Sequence, residues 1–249
     1  MRKSIFAGNW KMQMGPHEAT KYLNEFIPQI HPDKSREWII FAPFVSLPTL
    51  QNNLKNTPIK WGGQNCHHEP KGAFTGEISA PMLKELDCQY GLVGHSERRQ
   101  FFGETDKSCA LKIKALLESD ITPMLCVGET QKERDGGMTQ EIIKSQIEQG
   151  LEYGDPLRPL VIAYEPVWAI GTGKVATAGM AEEVHVFIRK VLSSKFGQER
   201  AGQIQILYGG SVKPENCREL IALPNIDGFL IGGASLTAKS FAQIGLIPL

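Results

Sequence analysis

Short apolar runs alternate with longer amphipathic stretches along this 249-residue chain, and this order restricts the fold more than any other feature. The apolar runs are rich in Ile, Val, Leu and Phe, as is typical of strands in a parallel sheet that is covered on both faces. The alternation therefore predicts βα units, in which a helix joins two parallel strands. Eight strands are predicted, at residues 4–8, 37–42, 59–64, 90–94, 122–127, 160–164, 204–208 and 228–231.

The predicted strands recur about every 31 residues, which is the size of one strand–loop–helix–loop unit. Apolar spacing of three and four predicts helices at 17–30, 106–119, 138–151 and 177–196, with Thr139 as a candidate cap. No linker or change of composition divides the chain, so we expect one α/β domain over residues 1–249, a closed (β/α)8 barrel. The alternative, an open doubly wound sheet, would normally carry a G-x-G-x-x-G turn where this chain has Gly8-Asn9-Trp10-Lys11.

Charge and cysteine content exclude several classes of partner. The 27 Lys and Arg residues balance 27 Asp and Glu residues, and no block of like charge suggests a nucleic acid or a membrane surface. The apolar runs are shorter than a membrane span, and the N-terminus does not read as a signal peptide. The five cysteines form no C-x-x-C pair, which fits a reducing, cytoplasmic compartment. We expect them to be apolar fillers rather than nucleophiles or zinc ligands.

In such a barrel the active site is built from the loops that follow the carboxyl ends of the strands. Asn9 and Lys11 follow the first strand, although a capping Asn and a solvated Lys are the alternative reading. His95 follows the fourth strand, and a helix opened by Ser96 would place the ring at a helix N-terminus, lowering its pKa and keeping the imidazole neutral. Glu165 ends the sixth strand, where burial is expected to raise its pKa, although a structural ion pair is the alternative.

Glycine pairs follow the seventh and eighth predicted strands, at Gly209-Gly210 and Gly232-Gly233. Glycines let the backbone approach a ligand closely, and these two loops are the usual place for a phosphate in such barrels. We therefore expect a small phosphate monoester, bound by backbone N–H groups. The expected donors are Gly171, Ser211, Gly232 and Gly233.

The segment after Glu165 is predicted to be a lid, because stiff ends flank a glycine-containing tip. A purely structural loop is the alternative. The predicted lid residues are Pro166, Val167, Trp168, Ala169, Ile170, Gly171, Thr172, Gly173 and Lys174.

Five motifs, in order along the chain, resemble those of the triosephosphate isomerase family. They are Gly8-Asn9-Trp10-Lys11-Met12, Gly94-His95-Ser96-Glu97-Arg98-Arg99, Ala163-Tyr164-Glu165-Pro166-Val167-Trp168-Ala169-Ile170-Gly171-Thr172-Gly173, Tyr208-Gly209-Gly210-Ser211-Val212 and Gly232-Gly233-Ala234-Ser235-Leu236. The resemblance implies a TIM barrel that interconverts dihydroxyacetone phosphate and D-glyceraldehyde 3-phosphate through an enediol(ate). It also implies a cytoplasmic enzyme of glycolysis and gluconeogenesis, without metal or organic cofactor.

The same resemblance implies roles for individual residues. Glu165 is similar to the family's base, and His95 to its neutral electrophile. Lys11 would supply a fixed positive charge, and Asn9 a further donor. Two residues resemble the groups behind these, Glu97 as the acidic neighbour of the lysine and Cys126 as the cysteine behind the base.

The loop at residues 65–77 resembles the one with which the family docks into a second subunit. An exposed Phe74-Thr75 tip between glycines fits a knob that enters a neighbour's pocket, near Asn9 and Lys11 of the partner subunit, although a surface loop is the alternative. A homodimer is therefore expected. The competing functions are a Schiff-base aldolase, which would want a lysine in place of Glu165, and a non-catalytic phosphate-binding barrel.

Overall fold

The computed structural model describes residues 2–155, 157–169 and 176–249. The strands are β1 (Ser4–Asn9), β2 (Arg36–Ala42), β3 (Ile59–Gly63), β4 (Tyr90–Val93), β5 (Thr122–Val127), β6 (Val161–Tyr164), β7 (Gln205–Tyr208) and β8 (Gly228–Ile231). They form a closed barrel in chain order, and all neighbouring pairs are parallel. The predicted (β/α)8 barrel is confirmed, and the open doubly wound sheet is excluded.

The barrel closes where β1 pairs with β8. Ile5 lies opposite Gly228, and its N–H donates to the Asp227 carbonyl at 2.9 Å. A Cβ atom on Gly228 would lie 1.9 Å from the Ile5 carbonyl oxygen, and the φ of this residue is +133°. Only glycine combines that backbone conformation with that approach, so the closure of the sheet requires glycine at this position.

Strand residues alternate between the inside of the barrel and the layer beneath the helices. On β1, Ile5 and Ala7 belong to the inner cluster, whereas Phe6 packs in the larger cluster together with helix residues such as Leu23. The inner cluster comprises Ile5, Ala7, Ile39, Phe41, Tyr90, Leu92, Met124, Cys126, Val161, Ala163, Leu207 and Leu230. The barrel interior is therefore filled with side chains, which leaves its carboxyl end as the place for a site.

Within the described ranges the helices are α1 (Pro16–Phe26), α2 (Leu47–Leu54), α3 (Ala80–Glu85), α4 (Ser96–Phe101), α5 (Asp106–Glu118), α6 (Gln131–Asp135), α7 (Thr139–Gly150), α8 (Ala178–Phe196), α9 (Gln198–Ala201), α10 (Cys217–Ile221) and α11 (Ala238–Gly245). Short 3-10 turns occupy Ile27–Gln29, Phe44–Ser46, Val167–Ala169 and Gly233–Leu236. The four predicted helices all form, with small differences at their ends.

Two of these differences have clear physical causes. The first predicted helix is α-helical only to Phe26, because Pro28 lacks an N–H and the chain continues as a 3-10 turn. The prediction of Thr139 as a cap is wrong. Met138 is the N-cap of α7, because its carbonyl accepts the first intrahelical bond, from the Ile142 N–H at 3.0 Å. Thr139 is already the first helical residue.

All five cysteines are free and buried. Burial raises the pKa of the thiols of Cys66, Cys88 and Cys109 to about 12. Thiols with such pKa values are almost wholly protonated at neutral pH and are poor nucleophiles. These cysteines therefore act as small apolar core residues, as expected.

No helix in the described part of the chain combines the length and the apolar character that crossing a lipid bilayer requires. The longest helix, α8, carries charged residues such as Glu182 and Arg189. In the same ranges, no three His, Cys, Asp or Glu side chains are grouped so that they would hold a metal ion.

Helix α8 contains a fully buried histidine. Nδ1 of His185 lies 3.0 Å from the Asn225 carbonyl oxygen, and Nε2 has no hydrogen-bond partner among the residues that the structure describes. Burial lowers the pKa of His185 to about 4, and the nearby Arg189 adds to this effect. The native protein therefore holds this ring neutral at pH values where the unfolded chain protonates it.

This difference predicts an acid-dependent loss of stability. Below the ordinary histidine pKa the unfolded state gains a proton that the native state binds only near pH 4, so stability falls as the pH falls between these values. Between about pH 7 and about pH 4.5 this single group should cost roughly 2 kcal/mol of unfolding free energy. Urea unfolding at several pH values checks this. In a His185→Gln variant the unfolding free energy should depend less on pH over this range. The exposed His17→Gln control should keep the pH dependence of the parent. The same pH dependence in the parent and in His185→Gln would contradict the prediction.

Candidate active site

A cavity of about 310 Å³ lies at the carboxyl ends of the strands. The predicted site residues that follow β1, β4, β6, β7 and β8 meet at its wall. It is lined by Asn9, Lys11, His95, Glu165, Gly209, Gly210, Ser211, Val212, Lys213, Leu230, Gly232, Gly233 and Ala234. The remaining predicted phosphate donor, Gly171, lies outside the described residues.

Lys11 is held in a left-handed backbone conformation, with φ of 54°. Its N–H donates to Asn9 Oδ1 at 3.0 Å, and its carbonyl accepts from Gln64 Nε2 at 2.9 Å. A non-glycine residue in this region costs on the order of 1 kcal/mol, which these two side chains offset. Asn9 thus supports the lysine backbone. Gln64 was missed from the sequence, because its partner is a backbone carbonyl 53 positions away.

His95 is the N-cap of α4 (Ser96–Phe101), as the sequence predicts. Its Nδ1 accepts a hydrogen bond from the Glu97 N–H at 3.2 Å, so the ring proton is on Nε2. Nε2 in turn donates to Glu165 Oε1 at 3.0 Å. The ring therefore presents an N–H donor to the cavity.

Glu165 directly follows β6, and its N–H donates to the Val127 carbonyl at 2.8 Å. The side chain is buried, with Oε1 on the His95 ring and Oε2 accepting from the Ser96 N–H at 2.9 Å. The carboxylate is therefore docked against α4, at the start of the helix.

This docking reverses both expected pKa directions. Burial raises the pKa of Glu165, but the His95 ring and the Ser96 N–H together lower it below its ordinary value. Burial lowers the pKa of His95, but the carboxylate of Glu165 raises it above its ordinary value. The sequence-based expectation is wrong for this arrangement, because it considered burial and the helix terminus but not direct contact between the two side chains.

Residues 4–246 match the sequence profile of the triosephosphate isomerase family. The chain belongs to this family. It is 49% identical over 246 residues to the triosephosphate isomerase of Thermoanaerobacter sp. (strain X514), with 98% of this chain and 99% of that relative covered. It is also 49% identical over 247 residues to that of Moorella thermoacetica, with 98% of each covered. The Clostridium perfringens relative is 47% identical over 246 residues, covering 98% of this chain and 99% of its own. The predicted family and fold are confirmed, which favours an isomerase over an aldolase or a non-catalytic barrel.

The two supporting residues that the family resemblance suggested lie beside the site. Glu97 Oε1 accepts from Lys11 Nζ at 2.6 Å, so this carboxylate fixes the lysine ammonium. Cys126 is fully buried inside the barrel, opposite Ala163 in the register of β5 and β6. Glu165 follows β6, two residues after Ala163, so the thiol lies on the strand next to the one that leads to the carboxylate.

Of the predicted lid, the structure describes the first part. Pro166 precedes the 3-10 turn Val167–Ala169, and Trp168 Nε1 donates to Glu129 Oε1 at 3.0 Å. The fully buried Glu129 also accepts from the Tyr164 hydroxyl and pairs with Arg134 at 3.0 Å. The remaining predicted lid residues, Ile170, Gly171, Thr172, Gly173 and Lys174, lie outside the described residues.

Glu129 was missed from the sequence, although it follows β5 closely. The rule that placed Glu165, an acidic residue just beyond a buried strand, would have identified it. Its bonds to Trp168 and Tyr164 fix the start of the segment that is predicted to be a lid.

Gly232 sets the space available to Lys11 in the candidate site of this triosephosphate isomerase family member. A Cβ atom on Gly232 would lie 3.3 Å from Lys11 Cε. The φ of Gly232 is −83°, so the space around it, rather than its φ, makes glycine favourable here. A larger side chain would push the ammonium group and cover the backbone N–H groups that are predicted to bind phosphate.

We therefore expect Gly232→Val to weaken inhibition by inorganic phosphate about tenfold or more, as expected for loss of a hydrogen bond to a charged group. The inhibition constant measured in a steady-state assay checks this. Gly179→Val, at an exposed helical glycine with no atom within 4 Å of its Cβ position, is the control. Unchanged inhibition in Gly232→Val would remove this loop from the phosphate site.

Proposed function

We propose that this chain interconverts dihydroxyacetone phosphate and D-glyceraldehyde 3-phosphate, with Glu165 as base, His95 as electrophile and Lys11 as a fixed charge. One observation carries the proposal. A buried carboxylate, an imidazole Nε2–H donor and an ammonium group line a single cavity of about 310 Å³ at the carboxyl end of the barrel. This is the set that proton transfer beside a carbonyl requires, namely a base, a donor to the carbonyl oxygen and a stabiliser of the resulting negative charge.

The phosphate end of the substrate belongs at the wall formed by the two glycine loops. Ser211, Gly232 and Gly233 line the cavity there, in the loops after β7 and β8, and β7 is the neighbour of β6, which leads to Glu165. Backbone N–H groups at this wall would bind the phosphate, and Gly171 of the lid would add another. Lys11 reaches this wall as well, so its charge serves both the phosphate and the reacting carbons.

Substrate binding would also activate the base. The His95 Nε2–H donates to Glu165 Oε1 at 3.0 Å. A substrate carbonyl oxygen that accepts this N–H takes the place of the carboxylate. Glu165 then loses its contact with His95, the larger of the two contacts that lower its pKa, while burial, which raises the pKa, remains. The carboxylate becomes a stronger base when the substrate arrives.

The proton transfers then balance as follows. Glu165 takes a proton from the carbon next to the carbonyl, and the carbonyl oxygen becomes the enediolate oxygen. His95 donates its Nε2 proton to one oxygen and recovers a proton from the other. Glu165 returns its proton to the former carbonyl carbon, which completes the isomerisation without any net change of protons or electrons. Lys11, fixed by Glu97 at 2.6 Å, faces the negative charge at each stage.

We also propose a homodimer in which Phe74 and Thr75 enter a cavity of the partner. A second cavity, of about 280 Å³, shares Asn9, Lys11 and His95 with the active site, and Phe44 and Phe102 contribute apolar lining. Exposed apolar side chains surround this region, Met12 being 96% exposed and Phe102 67% exposed. Such exposure on one side of a monomer is typical of a contact surface.

The loop tip suits this role because it is already ordered within one chain. The Phe74 ring packs against His67 at 4.2 Å, and His67 stacks on His68 at 4.4 Å. A preformed tip loses little conformational freedom on docking.

We further propose that residues 1–249 form one domain, that the enzyme acts in the cytoplasm, and that its partners include neither nucleic acid nor membrane.

The base assignment predicts a large effect from a small change. Glu165→Asp keeps the charge but withdraws the carboxylate by about one bond, and misplacement of about 1 Å can lower kcat on the order of 10²-fold. A coupled assay of glyceraldehyde 3-phosphate formation, with and without chelator, measures this. Glu148→Asp, on the exposed face of α7, should retain the parent kcat. A folded Glu165→Asp variant with parent kcat would show that another residue is the base.

The dimer proposal predicts that association and turnover are linked. Replacing Phe74-Thr75 by Gly-Asp should shift sedimentation toward the monomer and lower kcat, because the loop would order Asn9 and Lys11 of the partner subunit. Val186→Asp, at an exposed apolar residue of α8, is the control and should change neither quantity. A monomeric variant that retains the parent kcat would contradict the link while leaving the isomerase proposal intact.

A further inference from the structure

One side chain of α7 binds both backbone groups of a residue beside the active site. Oε1 of Gln146 accepts from the Gly128 N–H at 2.8 Å, and its Nε2 donates to the Gly128 carbonyl at 3.1 Å. A carboxamide suits this task because it carries a donor and an acceptor in one rigid plane, without charge. The catalytic roles proposed above leave Gln146 without a function.

Gly128 lies between two residues whose backbone carbonyls bind the segment that begins with Glu165. The Val127 carbonyl accepts from the Glu165 N–H at 2.8 Å, and the Glu129 carbonyl accepts from the Val167 N–H at 3.2 Å. The residues on both sides of Gly128 are thus paired with the segment that begins with the base. The Gly128 N–H and C=O bond instead to Gln146.

No side chain fits at position 128. A Cβ atom there would lie 1.7 Å from the Glu165 carbonyl oxygen and 2.7 Å from its carbonyl carbon. The close approach requires glycine, but glycine also gives the chain its greatest conformational freedom. Another group must therefore fix the peptide that lies against Glu165, and Gln146 is bonded to it.

The residue after Gly128 also contacts the start of the predicted lid. Glu129, the next residue, accepts from Trp168 Nε1 at 3.0 Å and from the Tyr164 hydroxyl. A change in the Gly128 backbone would move Glu129 and the base together. We infer that Gln146 is a positioning residue for the isomerisation, because it fixes Gly128 and thereby the backbone of Glu165 and the Glu129 anchor of the lid. This inference rests on the proposed role of Glu165.

The first test removes both hydrogen bonds. Gln146→Leu should lower kcat about tenfold, since small displacements of a catalytic group lower the rate steeply. KM and the inhibition constant of inorganic phosphate should be unchanged, because the phosphate wall lies on the other loops. The matched control is Gln149→Leu, on the same helix, where the exposed amide donates to Ser145 Oγ at 2.7 Å. Rates are expressed per folded protein, with urea midpoints measured for each variant.

The second test separates positioning from general stability. In Gln146→Glu, the ionised carboxylate accepts from the Gly128 N–H but repels the Gly128 carbonyl. When protonated, the introduced carboxyl group donates its O–H to that carbonyl and again accepts the N–H, as the amide does. The ratio of variant to parent kcat should therefore rise as the pH falls from about 8 to about 6, because the facing carbonyl raises the pKa of the introduced group.

Parent kcat in Gln146→Leu, a matching loss in Gln149→Leu, or a pH-independent ratio in Gln146→Glu would each overturn the inference. An active parent with an impaired Glu165→Asp variant and an unaffected Gln146→Leu variant would overturn this inference alone. A parent without isomerase activity, or a Glu165→Asp variant with parent kcat, would overturn the proposed function and this inference with it.

Discussion

Hydrogen bonds between β1 and β8 close the sheet, and the position of each site residue follows from that closure. Because the strands are all parallel, their carboxyl ends meet at one end of the barrel. Asn9 ends β1 and Glu165 follows β6, yet closure brings both to one cavity. Where β1 pairs with β8, the Cβ position of Gly228 is only 1.9 Å from the Ile5 carbonyl oxygen. The site therefore depends on a glycine that lies outside the cavity, because only glycine lets the sheet close there.

The buried acids of this molecule fall into two groups, and the proposed base differs from the other buried acids. Four of them pair with lysine or arginine, namely Glu37 with Lys3 and Lys60, Glu104 with Arg98 and Lys112, Glu129 with Arg134, and Asp227 with Arg2 and Arg189. Removing either partner from such a pair would leave a buried charge uncompensated. Glu165 differs, because within the described ranges its hydrogen bonds come from an imidazole and a backbone N–H. Its partners hold the carboxylate without fixing it as a permanent ion pair.

Local sequence patterns could predict the barrel and most of the site. Strand periodicity and the residues after each strand end identified Asn9, Lys11, His95 and Glu165, and Ser96 correctly indicated the helix that His95 caps. The patterns failed where a contact joins residues distant in sequence. The lowered pKa of Glu165 depends on the His95 ring and the Ser96 N–H, 70 and 69 positions away, and no local rule relates them to Glu165. Gln64 and Gln146 were missed for the same reason, since each acts on a backbone group of a remote loop.

The docked position of Glu165 has a consequence for the release of product in the proposed isomerisation. Its carboxylate occupies the Nε2–H of His95, the donor that a bound carbonyl oxygen would need. The enzyme therefore contains its own competitor for that donor. Competition of this kind weakens the binding of substrate and product alike, and weaker ground-state binding favours turnover when substrate is plentiful. In the proposed mechanism the carboxylate returns to the imidazole and the Ser96 N–H as the product loosens, so the proposed base also helps to expel the product.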